Sequence, residues 1–231
     1  MIPTILRKHK NKIFLLSIII IIFVIIYFTL FTTKTNKDEK NTVEKNKISQ
    51  SLFYPKEKTA KESHRISQNY IKQPSNNQMS LSVKIKVHNW YHNFDHWKHI
   101  LHKGTEITSS TNKKYNTLRL QSPGIWFHPK VNNMRFVLSV YNDFTFKHKY
   151  CDIKNIPIGR YFHIVFTTED TNISIFIDGR LVKTCVFQGI PILTEGDIFV
   201  NYGITYDGSI KHLQFFDKVL SIDEIKSLSK K

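Results

Sequence analysis

The rhythm of apolar and polar positions changes three times along the chain. Between Ile13 and Phe31 no charged residue interrupts a run dominated by Ile, Leu and Phe. As a helix rising about 1.5 Å per residue, this run would extend roughly 28 Å, the depth of a bilayer's hydrocarbon core. A buried core helix of that length would carry polar positions along one face. A cleaved signal peptide would have a shorter apolar stretch ending in small residues, whereas this one leaves through Thr29-Leu30-Phe31-Thr32-Thr33. The pattern predicts a single transmembrane anchor over residues 13–33, behind a short basic tail of residues 1–12.

From Lys34 to Ser80 the rhythm is lost. Lys, Asn, Ser, Thr and Glu predominate, and the stretch cannot bury enough apolar surface to offset its ordering entropy. It reads as a flexible polar stalk over residues 34–80, holding the C-terminal part of the chain roughly 40 Å from the membrane on average. Leu52-Phe53-Tyr54-Pro55 is a small apolar island within it.

At Leu81 a period of two begins. Leu81, Val83, Ile85 and Val87 alternate with Ser82, Lys84, Lys86 and His88, the mark of a half-buried strand. Further strands are predicted over residues 97–101, 116–120, 124–128, 134–141, 161–167, 197–202 and 209–216. Asp178-Gly179 divides another alternating stretch, and that dipeptide suits a hairpin turn needing φ > 0 at both central positions. Turn signals separate the rest, among them Lys103-Gly104, Asn142-Asp143, Glu195-Gly196 and Asp207-Gly208. Short strands at this spacing predict an all-β antiparallel sandwich or barrel over residues 81–231. The end alone is helical: Ser221-Ile222-Asp223-Glu224 forms a capping box, with Ile222, Ile225 and Leu228 as an apolar stripe.

Charge adds an orientation. The net charge is +16, but it is spread along the chain with no dense basic block. With no groove-reading or base-stacking motif beside it, a solvated basic surface is expected, with attraction to anionic glycans or membrane surfaces as the alternative, and no specific nucleic-acid partner. Arg7, Lys8, Lys10 and Lys12 precede the anchor, while Lys34, Lys37, Lys40 and Lys45 lie beyond it. The α-amino group and the abutting Lys12 tip this balance towards a type II protein with its C-terminal domain outside the cytosol. In that compartment the only two cysteines, Cys151 and Cys185, are expected to pair, with two buried thiols as the alternative. Asn172-Ile173-Ser174 is then a glycosylation candidate.

Four segments in order carry a family resemblance: Arg160-Tyr161-Phe162-His163-Ile164, Ile175-Phe176-Ile177-Asp178-Gly179-Arg180-Leu181-Val182, Tyr206-Asp207-Gly208-Ser209-Ile210 with Leu213-Gln214-Phe215-Phe216, and Val219-Leu220-Ser221-Ile222-Asp223-Glu224-Ile225. Together they resemble the laminin-G-like branch of the concanavalin-A-like lectin/glucanase superfamily, over roughly Leu81 to Leu228. The implied fold is a concanavalin-A-like antiparallel jelly-roll sandwich with a short C-terminal helix. Trp97 to Gly104, Pro123 to Trp126, Cys151 to Pro157 and Cys185 to Pro191 resemble a subgroup found among large DNA viruses and their relatives. Tyr161 stands where the family places Trp, and core packing is expected to survive the exchange.

Candidate chemistry is sparse. His88, His92, His96, His99 and His102 form a dense run whose helical spacing would suit zinc or copper. In the expected strand, however, His96 and His102 share one side and His99 the other, so surface and strand histidines are expected. Calcium is the candidate cofactor implied by the resemblance, with Asp95, Asp143, Asn201 and Asp207 near turns but no local multi-carboxylate loop. The superfamily's hydrolases use carboxylates spaced Glu-x-Asp-x-x-Glu on one strand, a pattern absent here. Trp90 and Tyr91 are candidate sugar-stacking platforms, with a partly buried loop anchor as the alternative. The expected function is noncatalytic recognition of a glycan or glycoprotein, in attachment or adhesion at a cell surface or virion membrane. The alternatives are a structural membrane or virion-envelope protein binding a partner protein, and a divergent glycoside hydrolase.

Overall fold

Alternation along the chain becomes two facing sheets. The structure is a computed structural model and describes residues 22, 24–27, 52–54, 56–74, 76–107, 118, 120–142, 145–193 and 196–230. Two compact units divide it, residues 1–49 and 50–231. In the first, Ile22 and residues 24–27 are helical and exposed. The rest of the expected anchor, the basic tail and the stalk up to residue 51 lie outside the described residues. Among the described residues no helix is long and apolar enough to cross a membrane.

The strands of the second unit are β1 (Leu52–Phe53), β2 (Lys58–Thr59), β3 (His64–Ile66), β4 (Gln78–Asn89), β5 (Lys98–Gly104), β6 (Gln121–Phe127) and β7 (Asn133–Asn142). They continue as β8 (Thr145–Lys154), β9 (Tyr161–Glu169), β10 (Asn172–Ile177), β11 (Arg180–Val186), β12 (Ile190–Pro191), β13 (Asp197–Val200) and β14 (Asp207–Phe216). Helix α1 (Ile222–Lys230) closes the chain. The first sheet runs β1-β14-β4-β9-β10-β11, with β2 also on β14. The second runs β12-β7-β6-β5-β13-β3, with β8 on the other side of β7. All of these pairings are antiparallel.

The apolar half of each alternation fills the space between the sheets. Leu81, Val83, Ile85 and Val87 are buried, and Val83 sits opposite Ile164 while Ile85 sits opposite Ile210. From the second sheet come Ile125, Phe127, Phe136 and Leu138, and Phe136 stacks on Phe166 at 5.9 Å across the interior. Each such side chain contributes on the order of 1.5–3 kcal/mol.

Several expectations are corrected. The stalk does not extend to residue 80: β1 and β2 pair with β14, β3 pairs with β13, and Ala60, Ile66, Ile71 and Met79 are buried. Strands of two or three residues are too short to show a period, and their pairing is dictated by long partners far along the chain. Strand β8 had no counterpart in the sequence pattern, and Asp207-Gly208 opens a strand instead of a turn. Leu118 and Leu120 are outside any strand, while most of the strand expected at 116–120 lies outside the described residues.

On the outer face of the first sheet, α1 packs Ile225 and Leu228 against Val165, Phe176, Phe216 and Leu220. Its capping box forms: the Ser221 backbone N–H donates to Glu224 Oε2 at 2.8 Å, and the Glu224 N–H to Ser221 Oγ at 3.3 Å. Ile222, expected in the apolar stripe, is exposed. The hairpin tip lies under this helix, and a Cβ at Gly179 would come within 2.9 Å of Ser229 Oγ. Tyr161 is not a core residue. It lies half-buried on this outer face, with the Lys211 ammonium 4.2 Å from its ring centre.

Candidate ligand-binding site

The free edges of the two sheets meet on one side of the sandwich, and Cys151 of β8 is bonded there to Cys185 of β11. Their Cα atoms are 6.0 Å apart, a usual separation for a disulfide. Cys185 faces Ile173 across the β10–β11 pair, and Cys151 faces Phe136 across β7–β8, so the bridge joins the two sheets at the margin of the core. Sequence reasoning anticipated this pairing.

Beside the bridge opens a groove of about 640 Å³, within the range of small-molecule sites. His148, Lys149 and Tyr150 of β8 form one wall; Cys185, Val186, Phe187 and Gln188 form the other, with Ile173 below. Val186 is 74% exposed and Tyr150 56%, apolar surface on two edge strands that are exposed along most of their length. Among the described residues the lining contains no Asp or Glu. Burial pushes the His148 imidazole below its ordinary pKa, so it stands as a neutral hydrogen-bonding group 3.2 Å from Ser139 Oγ.

Tyr150 is itself held in place. Arg135 on β7 pairs twice with Asp152 on β8, Nε to Oδ1 at 2.8 Å and Nη2 to Oδ2 at 2.6 Å. The guanidinium lies 4.2 Å from the Tyr150 ring centre and 4.9 Å from that of Trp97. An arginine between two rings and a bidentate carboxylate fixes the aromatic wall without using its exposed face. The Lys183 ammonium donates to the Asp152 carbonyl at 2.9 Å and adds a second tie between the edges.

The histidine run divides. His88, His92 and His96 are exposed, as expected. His99 and His102 lie on a strand, as expected, but are buried side by side, a correction to their expected opposite sides. A β-bulge between His99 and Leu101 inserts Ile100 and turns the two imidazoles to one face. Their bonds fix both tautomers. The Tyr202 N–H donates to His99 Nδ1 at 2.9 Å, His99 Nε2–H to His102 Nδ1 at 2.8 Å, and His102 Nε2–H to the Thr105 carbonyl at 2.7 Å. Burial holds His99 well below its ordinary pKa and brings His102 down to about 4. Both ring nitrogens of His99 and of His102 are used, so neither imidazole is left for a metal.

Of the two proposed stacking platforms, Trp90 is 7% exposed and packs edge-on against Phe127 at 5.2 Å, so it is an anchor. Tyr91 is 74% exposed beside Phe94. Neither lines the groove. Asn172 begins β10 and is exposed. Among the candidate calcium ligands, Asp95 pairs with Lys130 at 3.2 Å, Asp207 lies 3.8 Å from His88, and the Asn201 amide donates to the Thr59 and Glu62 carbonyls. Asp143 lies outside the described residues. Among the described residues no group of three or more His, Cys, Asp or Glu side chains is placed to hold a metal ion.

The groove was not legible in advance, because its walls lie some 35 residues apart in sequence and meet through sheet edges. The one available signal was the cysteine pair.

Comparisons with known proteins agree with this architecture. The laminin-G model of the concanavalin A-like lectin/glucanases superfamily matches residues 62–226. No curated protein matches the chain. Among solved structures, the receptor binding domain of botulinum neurotoxin mosaic serotype C/D is similar with a TM-score of 0.52 at 13% identity, over 76% of this chain and 45% of that one. The binding domain of botulinum neurotoxin DC in complex with SialylT gives 0.51 at 16% identity, over 67% and 35%. The botulinum neurotoxin serotype D ligand binding domain in complex with N-acetylneuraminic acid gives 0.50 at 15%, over 69% and 38%. This chain spans less than half the length of each, and at such identities the likeness concerns the fold.

Proposed function

The chain belongs to the concanavalin A-like lectin/glucanases superfamily, and from that premise we propose that it is a noncatalytic recognition module for a glycan or glycoprotein, anchored by the apolar run at residues 13–31 with its sandwich outside the cytosol. The groove beside Cys151–Cys185 carries the reading. Exposed faces of Tyr150 and Val186 offer apolar surface to a sugar ring, while Lys149 and Gln188 supply polar groups for its hydroxyls. A disulfide-fixed frame limits the ordering cost of binding. The lack of any carboxylate among the described lining residues supports recognition over glycoside hydrolysis, which needs an acid and a base flanking the bond. Complexes of similar folds with SialylT and N-acetylneuraminic acid support a saccharide as the ligand class.

The test is a glycan array probed with the full chain in detergent. A bound saccharide is expected, and Tyr150→Ala should weaken it roughly tenfold, as loss of a stacking contact does. Binding to no glycan, or binding indifferent to Tyr150→Ala, would sink the groove reading. Orientation is tested separately. Expression through a secretory membrane should yield a glycosylated chain whose mass shift disappears in Asn172→Gln.

A second reading is favoured by β11, an edge strand exposing Leu181, Val182 and Val186. An extended segment of a partner protein would add to such an edge through backbone hydrogen bonds. In that case a proline at Thr184 would abolish partner capture while leaving glycan binding intact.

A further inference from the structure

At the rim where β4 ends and β5 begins, two buried donors lack a fitting acceptor. Lys98 is 1% exposed, yet its ammonium reaches a single protein oxygen, the Pro129 carbonyl, at 3.4 Å. That is longer than a good N–H···O bond. Burial alone lowers its pKa to about 8, with no carboxylate acting in the opposite sense. The same ammonium stands 5.1 Å from the centre of the Trp90 ring. Trp90 is also buried, and its indole N–H has no acceptor. The other buried lysine differs: Lys103 donates to the Leu193 carbonyl at 2.9 Å. A buried ammonium held by one long hydrogen bond and a ring face, beside an orphaned indole, is costly, and such groups persist where something else completes them.

The loop between Trp90 and Lys98 carries an aromatic surface. Residues 91–97 are turns and bends, with Tyr91 and Phe94 exposed and their rings 6.1 Å apart. The stretch is mostly bonded to itself, by Phe94 N–H to the Tyr91 carbonyl and His96 N–H to the Asn93 carbonyl. Polar ties that reach beyond it include the Tyr91 N–H to Asn89 Oδ1 at 2.9 Å, the Asp95 N–H to the Pro129 carbonyl at 3.2 Å, the Asn93 amide to the Thr205 carbonyl at 2.9 Å, and the exposed Asp95–Lys130 pair. A shift of residues 93–95 would free the Pro129 carbonyl that Lys98 shares with the Asp95 N–H.

We propose that this rim is a binding site for an acidic saccharide, whose oxyanion accepts from Lys98 Nζ and Trp90 Nε1 while its ring lies against Tyr91 and Phe94. The inference rests on the recognition reading but names a site separate from the groove. Two donors and a positive charge match a carboxylate or sulfate ester, whose several oxygens accept and whose charge offsets the ammonium. A neutral hydroxyl would leave that charge uncompensated, and a metal ion would be repelled by it. The sugar's apolar face supplies what the rings require.

The experiment uses the full chain in detergent, isotope-labelled at tryptophan nitrogen. Three indole resonances report Trp90, Trp97 and Trp126, and Trp90→Phe assigns the first. Glucuronate, a sulfated N-acetylglucosamine, glucose and sodium sulfate are added in turn. Glucuronate or the sulfated sugar, whichever carries the fitting oxyanion, should move the Trp90 resonance to saturation, and glucose should not. Lys98→Met should weaken that response roughly tenfold to a hundredfold, the worth of a charged hydrogen bond. The unchanged Trp97 and Trp126 resonances would show this variant folded. Replacing Tyr91 and Phe94 by Ala should weaken the sugar response. A Trp90 resonance that no acidic sugar moves overturns the proposal, as does a response unaffected by Lys98→Met. A response to sodium sulfate equal to that of the sugars overturns it too, reducing the rim to an inorganic anion site. Loss of the array signal in Tyr150→Ala with the Trp90 response intact would assign the two sites to different places. A Trp90 response without any array binding would leave the rim standing and the groove reading refuted.

Discussion

The outer faces of the two sheets are closed by opposite means. Over the first sheet lies α1, whose Ile225 and Leu228 meet Val165, Phe176 and Phe216 in an apolar contact. Over the second, Trp126 and Val137 pack with Leu118, but the layer is threaded by polar groups. The His99–His102 chain runs between Tyr202 and Thr105, with Trp126 edge-on to His99 at 4.5 Å and Phe199 stacked on His102 at 5.1 Å. An apolar contact is graded: remove a methylene and a share of its stabilisation goes. A chain of buried hydrogen bonds is conditional, because one lost member strands its neighbours and one added proton breaks the pattern.

The largest expected effect falls on the apolar closure. Ile225 is 1% exposed, and Ile225→Ala should destabilise the domain by about 3 kcal/mol, with little dependence on pH. Denaturant unfolding at two pH values measures both parts of that statement. On the second sheet, His99→Leu combined with His102→Leu leaves the Tyr202 N–H and the Thr105 carbonyl unpaired, at a cost of about 2 kcal/mol near neutral pH. The pH profile separates the two closures. Both imidazoles titrate below the ordinary value of 6.5 when folded, so the unfolded chain binds protons first. Their stabilisation is complete above about 6.5 and is lost as pH falls towards 4, by up to about 1.4 kcal/mol per pH unit for each. His163, on the first sheet and lowered by burial to about 4, adds a like share. The double variant should therefore flatten the acid limb of the profile without abolishing it. An unchanged limb would mean that the buried pair does not govern acid stability.

This contrast also explains what was legible beforehand. The apolar closure follows from periodicity, since the capping box and the spacing of Ile225 and Leu228 announce a one-sided helix. Strands β4, β9 and β10 announce themselves by alternation in the same way. Strand β8 does not, because the side that carries Cys151 and Ile153 also carries Lys147 and Lys149, and Phe146 and Tyr150 stand on the other. The histidine pair was illegible for a different reason. Strict alternation places His99 and His102 on opposite sides, and only the inserted Ile100 reverses that, a feature of pairing with β6. Trp90 could be located in sequence but not oriented, since a residue at a strand's end turns inward or outward according to the adjoining loop. The cysteine pair could be foreseen; the groove it borders needed two edges brought together by the whole topology.

The smallest expected effect concerns the Asp178-Gly179 turn beneath α1. Asp178 has φ of 49°, its Oδ1 accepts from the His163 N–H at 2.8 Å, and its Oδ2 meets Arg160 at 2.9 Å. The arginine pair is exposed and contributes little. The bond to the β9 backbone and the tolerance of left-handed φ remain as reasons for an aspartate here. Asn shares both properties and Ala neither, so Asp178→Asn should be nearly neutral while Asp178→Ala costs about 1 kcal/mol. Thermal unfolding of the two variants distinguishes them. Equal losses in both would mean that the charge itself holds this corner, and the first sheet's closure would then be partly ionic, closer in kind to the second than its apolar helix implies.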